Sequence, residues 1–212
     1  MNSLTAKKRN KDKIWLEEVS ERVAKVLMDK MDLKRTDYLK IKLGIEVSLI
    51  NLTKGIIVYG IAALLGSLVP TLITHISYVV LRRVAYGLHA EKFINCALLS
   101  VLLFALFPYS VRNFTISNGE LIIFFLVSLF LIYRYAPADT EKNPLIGIEK
   151  RLKLRNKSLL AGVILMFIAL IISNPTINIM VVLGVSLQVV SILPITYKLL
   201  KRGYNNYEKH GN

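Results

Sequence analysis

The chain has 212 residues, 54% of them hydrophobic, and a formal net charge of +14 from 28 Lys and Arg against 14 Asp and Glu. Its mean hydropathy of +0.50 and the gathering of apolar residues into long blocks exclude an ordinary soluble domain and point to membrane spans. A single cysteine excludes an intramolecular disulfide and any zinc site built on a Cys pair, so no metal or cofactor is expected.

The first 13 residues are polar and basic with no apolar stretch close behind, which predicts no cleavable secretory signal. Residues 14–43 read as an amphipathic helix. Ile14, Val19, Val23, Val26, Leu27 and Leu33 recur at near-helical spacing among charged residues, and Trp15 suits an interface. Such a helix lies against the membrane surface or packs on the protein itself.

Six hydrophobic segments follow, near 44–66, 69–81, 93–111, 120–135, 158–174 and 177–197. The second is the weakest span: about 13 residues at about 1.5 Å each do not cross a hydrocarbon core of about 30 Å. It must extend at its ends or cross a thinned bilayer. Pro70, Pro108, Pro175 and Pro194 fall at or near segment ends, where proline is best tolerated. Lys54 is a charge in mid-span, where insertion costs about 2.5–3.5 kcal/mol. We expect it to make a structural polar contact, with Asn51 one turn away, and Glu46 to pair with Lys42. Gly55, Gly60 and Gly66 give the first span small faces suited to close packing, in the bundle or in a homodimer. The fold expected is an all-α membrane protein: a polytopic bundle of about six transmembrane helices (44–200), an N-terminal basic and amphipathic segment (1–43) and a short tail (201–212).

Charge supplies the orientation. Of the 28 Lys and Arg, 12 precede residue 44, three lie in 82–92, seven in 134–157 and four from 198 onward; Lys54 and Arg112 are the remaining two. The positive-inside rule then places both termini and the 82–92 and 134–157 loops in the cytoplasm. A basic cytoplasmic face accounts for the net charge and attracts anionic inner-leaflet lipid. No basic, aromatic-laced domain is present, so nucleic acid is not an expected partner. The run from Glu149 to Lys157 reads as a solvated stop signal, able to attract an acidic peptide segment.

The stretch YGLHAEKFINC, residues 86–96, holds the only cysteine and His89 seven positions before it. A histidine near a thiol is a base beside a nucleophile, the pairing acyl transfer needs. It is equally the kind of coincidence a membrane edge produces. Seven residues return to one helical face but rise about 10.5 Å. Cooperation therefore requires a backbone break before Cys96, and Gly87 offers one. Cys96 would then enter the first turns of the third span, where the helix dipole favours negative charge. His75, near the far side of the second segment, is too distant to serve as the base. Glu91 and Asp139 are the candidate orienting carboxylates.

The segment RRVAYGLHAEKFINC resembles the signature of the AgrB-like membrane peptidases (accessory gene regulator protein B) of Gram-positive quorum sensing: an upstream Arg, Gly-x-His, and Cys seven residues on. Here these are Arg82 or Arg83, Gly87, His89 and Cys96. APADTEKNPL, residues 136–145, is similar to the Pro–acidic–Pro stretch of that family's loop, and the length and apolar segments also match. Tyr86 departs from the pattern where many members carry a second glycine. The resemblance implies a multi-pass bacterial cell-membrane cysteine endopeptidase with a cytoplasmic active site. Cys96 would be the nucleophile and His89 the base and acid, supported by Arg82, Arg83, Gly87, Glu91 or Asp139. The implied partner is an AgrD-like precursor peptide, cut through an acyl-enzyme thioester and closed to a thiolactone or lactone. A six-span transporter without covalent chemistry, using Lys54 and Glu46, is the alternative.

Overall fold

A computed structural model describes residues 18–19, 21–23, 25–26, 35–88, 93–141, 144–172 and 174–210. The architecture is all-helical: α1 (Arg35–Leu64), α2 (Leu68–Ala85), α3 (Phe93–Val101), a π turn (Leu102–Leu106), α4 (Phe107–Val111), α5 (Asn118–Tyr135), α6 (Ile148–Ile172), α7 (Pro175–Ile192), α8 (Pro194–Leu199) and a 3₁₀ turn (Asn206–His210). Among the described residues, five stretches are long and apolar enough to span a bilayer: Ile41–Leu64, Leu68–Ala85, Asn118–Tyr135, Ile148–Ile172 and Pro175–Ile192. A sixth apolar helix, Cys96–Val111, is shorter. The chain is a polytopic membrane bundle.

The second segment is thus a full-length span, and the third runs as continuous helical structure from Phe93 to Val111. The second reaches span length because Arg82 and Arg83 occupy the last turn of α2 instead of a loop, their long stems tolerating the membrane edge. In the third, the π turn lies just ahead of Pro108, which has no N–H to donate to the carbonyl of residue 104, and absorbs the mismatch there. Two further boundaries shift. Helix α6 begins at Ile148, so the basic run 149–157 is helical and not a loop. Pro194 ends α7 at Ile192 and opens α8. The N-terminal ends are fixed locally. Ser117 and Glu120 form a reciprocal capping box on α5, and the Asn174 side chain accepts from Thr176 N and Ile177 N ahead of α7.

The chain forms two compact units, residues 1–57 and 58–212. In the first, Glu21 bridges Lys25 at 3.1 Å and Lys42 at 3.2 Å. Hydrogen bonds from Lys25 and then Lys42 hold its carboxyl below the ordinary glutamate range. Lys42 therefore pairs with Glu21 and not with Glu46. Lys54 is buried, and α1 runs unbroken through residue 44. Most of the amphipathic stretch 14–34, Trp15 included, lies outside the described residues.

In the second unit α2 lies against α7. The buried stripe of α2 is Thr71, Thr74, Ser77, Leu81 and Ala85, small and polar at first and apolar at its end. Thr74 Oγ1 donates to the Met180 carbonyl at 3.3 Å. Such polar, small-residue seams are how helices associate in lipid, where apolar burial between helices gains little. Gly184 makes the approach possible: a Cβ there would collide with the Thr74 carbonyl and lie 2.8 Å from Ser77 Cβ. Gly162 serves likewise between α6 and Leu129 of α5, 2.8 Å from the Leu129 Cδ2 position. At Gly55, Gly60 and Gly66, by contrast, a Cβ meets nothing within 4 Å among the described residues. Leu98, Ile123, Phe130, Phe167 and Ile171 face outward, as side chains in contact with hydrocarbon must.

Gly184→Val is expected to lower the thermal midpoint of the purified protein in detergent, through overpacking worth about 1–3 kcal/mol. Gly60→Ala is expected to leave the midpoint unchanged or raise it. Equal effects would show that α2 and α7 do not approach at Gly184.

Candidate active site

Helix α2 ends at Ala85. The next two residues take left-handed backbone angles, Tyr86 at φ 56° and Gly87 at φ 120°, and turn the chain out of the helix. That turn strands three consecutive carbonyls, and one side chain gathers them. Arg82 donates from Nη1 to Tyr86 O at 2.9 Å, from Nη2 to Gly87 O at 2.9 Å, and from Nη2 to Leu88 O. Its Nη1 also reaches Ser191 Oγ at 3.3 Å. The planar, five-donor guanidinium suits this geometry and a lysine does not.

Two other elements hold the same three residues. From α7, Gln188 Nε2 donates to Tyr86 O at 2.6 Å, and Leu88 N donates to Ser191 O at 3.2 Å. From the α5–α6 connection, Ala138 forms a parallel bridge with Tyr86: Gly87 N donates to Ala138 O at 2.9 Å, and Ala138 N donates to Ala85 O at 3.0 Å. Gly87 is required on two counts. Its φ is one that side chains disfavour. A Cβ would also lie 2.6 Å from Arg82 Nη1, 2.7 Å from Ser191 Oγ and 3.0 Å from the Ser191 carbonyl.

Asp139 follows Ala138 and is buried. Its Oδ1 accepts from Asn206 N at 2.9 Å and Asn206 Nδ2 at 3.4 Å; its Oδ2 accepts from Tyr207 N at 2.8 Å and Leu145 N at 3.4 Å. The Tyr197 hydroxyl donates to the Asp139 carbonyl at 2.7 Å. The carboxylate thus ties the C-terminal segment to the α5–α6 connection. Burial raises the phenol of Tyr197 well above its ordinary value and pushes Tyr204, whose ring meets it edge-on, up to about 12.

Of the residues predicted for the site, Arg82, Gly87 and Asp139 belong to one hydrogen-bonded assembly. Arg83, one residue from the clamp, is exposed. Cys96 is the fourth residue of α3, buried at 8% exposure and in no disulfide. His89 and Glu91 lie outside the described residues; Leu88, the last residue of the described turn, immediately precedes His89 in sequence. His75 is engaged elsewhere, 2.6 Å from the Tyr59 hydroxyl through Nδ1 and against the Phe104 ring. Among the described residues no group of three His, Cys, Asp or Glu could hold a metal. Gln188 and Ser191 were missed from sequence. The available signal was two polar residues three apart in an apolar segment, which usually marks an inward-facing polar contact.

The family described as accessory gene regulator B matches residues 20–192 of this chain. The chain belongs to the AgrB family. An AgrB-like protein of Listeria innocua is 45% identical over 91% of this chain and 95% of its own length. An AgrB-like protein of Clostridium acetobutylicum is 36% identical over 91% and 92%. The accessory gene regulator protein B of Staphylococcus intermedius is 37% identical over 82% and 92%. No solved structure matches. The AgrB match spans the Arg82 clamp, Gly87, Cys96, Asp139 and the α7 residues that close the turn.

Arg82→Lys keeps the charge but loses the fork. It is expected to lower the thermal midpoint by the cost of a stranded carbonyl, about 1–3 kcal/mol. Gly87→Ala should do at least as much, and unchanged midpoints for both would remove the clamp. A second expectation concerns alkali. Tyr204 is raised in the folded chain relative to a free phenol at about 10, so its contribution to stability is complete below about 10 and is lost as pH rises toward about 12. Tyr204→Phe should flatten the decline in midpoint over that window; an identical alkaline profile would contradict the assignment.

Proposed function

We propose that this AgrB-family protein is a membrane cysteine endopeptidase that processes an AgrD-like precursor peptide. Cys96 Sγ attacks the scissile carbonyl, and the tetrahedral intermediate collapses by expelling the amine of the C-terminal tail, to which His89 returns the proton taken from the thiol. The peptide is left as a thioester on Cys96. A cysteine of the precursor then attacks that thioester and closes a thiolactone, freeing Cys96; a serine in its place gives a lactone. The product is an autoinducing peptide of quorum sensing. Both termini and the reacting groups lie on the cytoplasmic side, because the basic residues concentrate there.

The reading is carried by AgrB-family membership over residues 20–192, a range that includes Gly87-x-His89 and Cys96 at the spacing the resemblance requires. The assembly around Arg82 supports it. Three elements spend their polar groups on ordering Tyr86–Leu88, the backbone that leads directly into His89. A reactive base must be held to within fractions of an ångström, so structure of this kind just before it fits a catalytic role for His89.

Co-expression with the precursor and measurement of its size by mass spectrometry tests the proposal. Cys96→Ala and His89→Ala should each reduce tail release by about a thousandfold or more, as removal of a member of a nucleophile–base pair does. Cys96→Ser should accumulate no thioester. Tail release at the wild-type rate by Cys96→Ala would end the endopeptidase reading.

A further inference from the structure

At the end of the bundle that carries the Arg82 clamp there is a second polar feature. A cavity of about 320 Å³ is lined by Arg134 from the last turn of α5, Arg151 and Arg155 from the first turns of α6, and Tyr135, Tyr204 and Tyr207. Among the described residues no carboxylate lines it. The nearby described acids are committed or exposed: Asp139 accepts four N–H donors, Glu141 Oε1 accepts from Gly203 N, the exposed Glu208 accepts from Asn205 Nδ2, and Glu149 is exposed.

The three guanidiniums are held by ring faces. The Cζ of Arg151 sits 3.2 Å from the Tyr207 ring centroid, that of Arg155 5.0 Å from Tyr133, and that of Arg134 5.6 Å from Tyr135. A cation–π contact occupies the flat face of the cation and leaves the N–H edge open. The Nε atoms of Arg151 and Arg155 are buried with no hydrogen-bond partner among the described residues. A buried donor without an acceptor is destabilising, more so when charged. Three cations around one cavity add mutual repulsion. An anion bound between them removes both penalties.

We propose that this cavity binds a phosphate group, and that its source is the headgroup of an anionic phospholipid; free inorganic phosphate offers the same chemistry. Three forked donors need more acceptor oxygens than one carboxylate has, and a phosphate supplies them. The lining residues sit at the ends of the spans Asn118–Tyr135 and Ile148–Ile172, the level at which headgroup phosphates lie beside a bilayer. The site is independent of Cys96 chemistry and stands whether or not the chain is a peptidase.

The full-length protein, delipidated in neutral detergent, is offered phosphatidylglycerol, phosphatidylcholine or inorganic phosphate. Lipid retention is read by native mass spectrometry and stabilisation by thermal midpoint. The expected result is preferential retention of phosphatidylglycerol with a raised midpoint. Binding should fall about tenfold or more in R151Q/R155Q and stay unchanged in K153Q, which removes an exposed charge from the same helix outside the cavity. R151K/R155K keeps both charges, guards against misfolding of the first variant, and should bind more weakly than wild type. Stabilisation by inorganic phosphate alone would confirm the site and reject the lipid as its source. Undiminished binding by both double variants, an equal loss in K153Q, or stabilisation by an acidic peptide but by neither phosphate source would overturn the proposal.

Discussion

Arg82 is the residue on which this end of the molecule depends. A helix that stops at a membrane edge leaves its last carbonyls without donors, in a place where water is scarce. Here the chain also turns through two left-handed residues, so the three carbonyls beyond the helix point in directions no ordinary cap serves. One guanidinium, one turn back on the same helix, satisfies all three and touches Ser191 as well. Fixing a residue's backbone costs about 1–2 kcal/mol. A hydrogen bond to a charged donor contributes about 1.5–3 kcal/mol. The clamp therefore offsets the entropy of ordering the turn, and the turn does not need to be stabilised by whatever follows it.

From that turn a chain of backbone bonds leads outward. Ala85 and Gly87, on either side of Tyr86, pair with Ala138. Asp139, the next residue, takes the amides of Asn206 and Tyr207, and Tyr197 closes on the Asp139 carbonyl. Segments more than fifty residues apart in sequence thus meet through main-chain groups and a few polar side chains, beside the buried Ala85, Ala138 and Tyr197. The division of labour is physical. In the bilayer, shape complementarity at Gly184 and Gly162 sets helix spacing; at the interface, where polar groups must be paired, hydrogen bonds set the register of the loops.

The membrane class, the number of apolar segments and the break at Gly87 were legible because each rests on a local signal: block hydropathy, and a glycine between a basic pair and a histidine. What was not legible has equally definite causes. Hydropathy cannot see that Arg82 and Arg83 complete a helix, since a charge counts against a span even when its stem lies along one. It cannot see that the third span carries a π turn ahead of Pro108. The seven-residue offset of His89 and Cys96 argued for a bend without saying what would hold it, because the holders, Gln188, Ser191 and Ala138, are remote in sequence. Asp139 stands out in sequence as a carboxylate in its loop, but the four N–H donors through which it anchors the C-terminal segment come from residues distant in sequence or not marked by any local signal. The basic run at 149–157 looked like a solvated stop signal. Only its helical phase shows that Arg151 and Arg155, four apart, share a face that turns toward Tyr207 and Tyr133.

The two polar features at this end of the bundle share a wall. Ala136 and Pro137 line the arginine cavity, and Ala138, the next residue, holds the turn before His89. Tyr207 stacks on Arg151 through its ring while its amide binds Asp139. An anion that binds only when these residues are in place stabilises them in proportion to its concentration over its dissociation constant. It thereby stabilises the strand of backbone on which the turn depends. The coupling needs no long pathway, since the cavity wall and the bridge are consecutive residues of one loop. On this argument the lipid surface is more than the solvent for the spans: by filling the arginine cavity it completes the scaffold behind the turn, and the ordered arrangement is favoured where the protein meets an anionic leaflet.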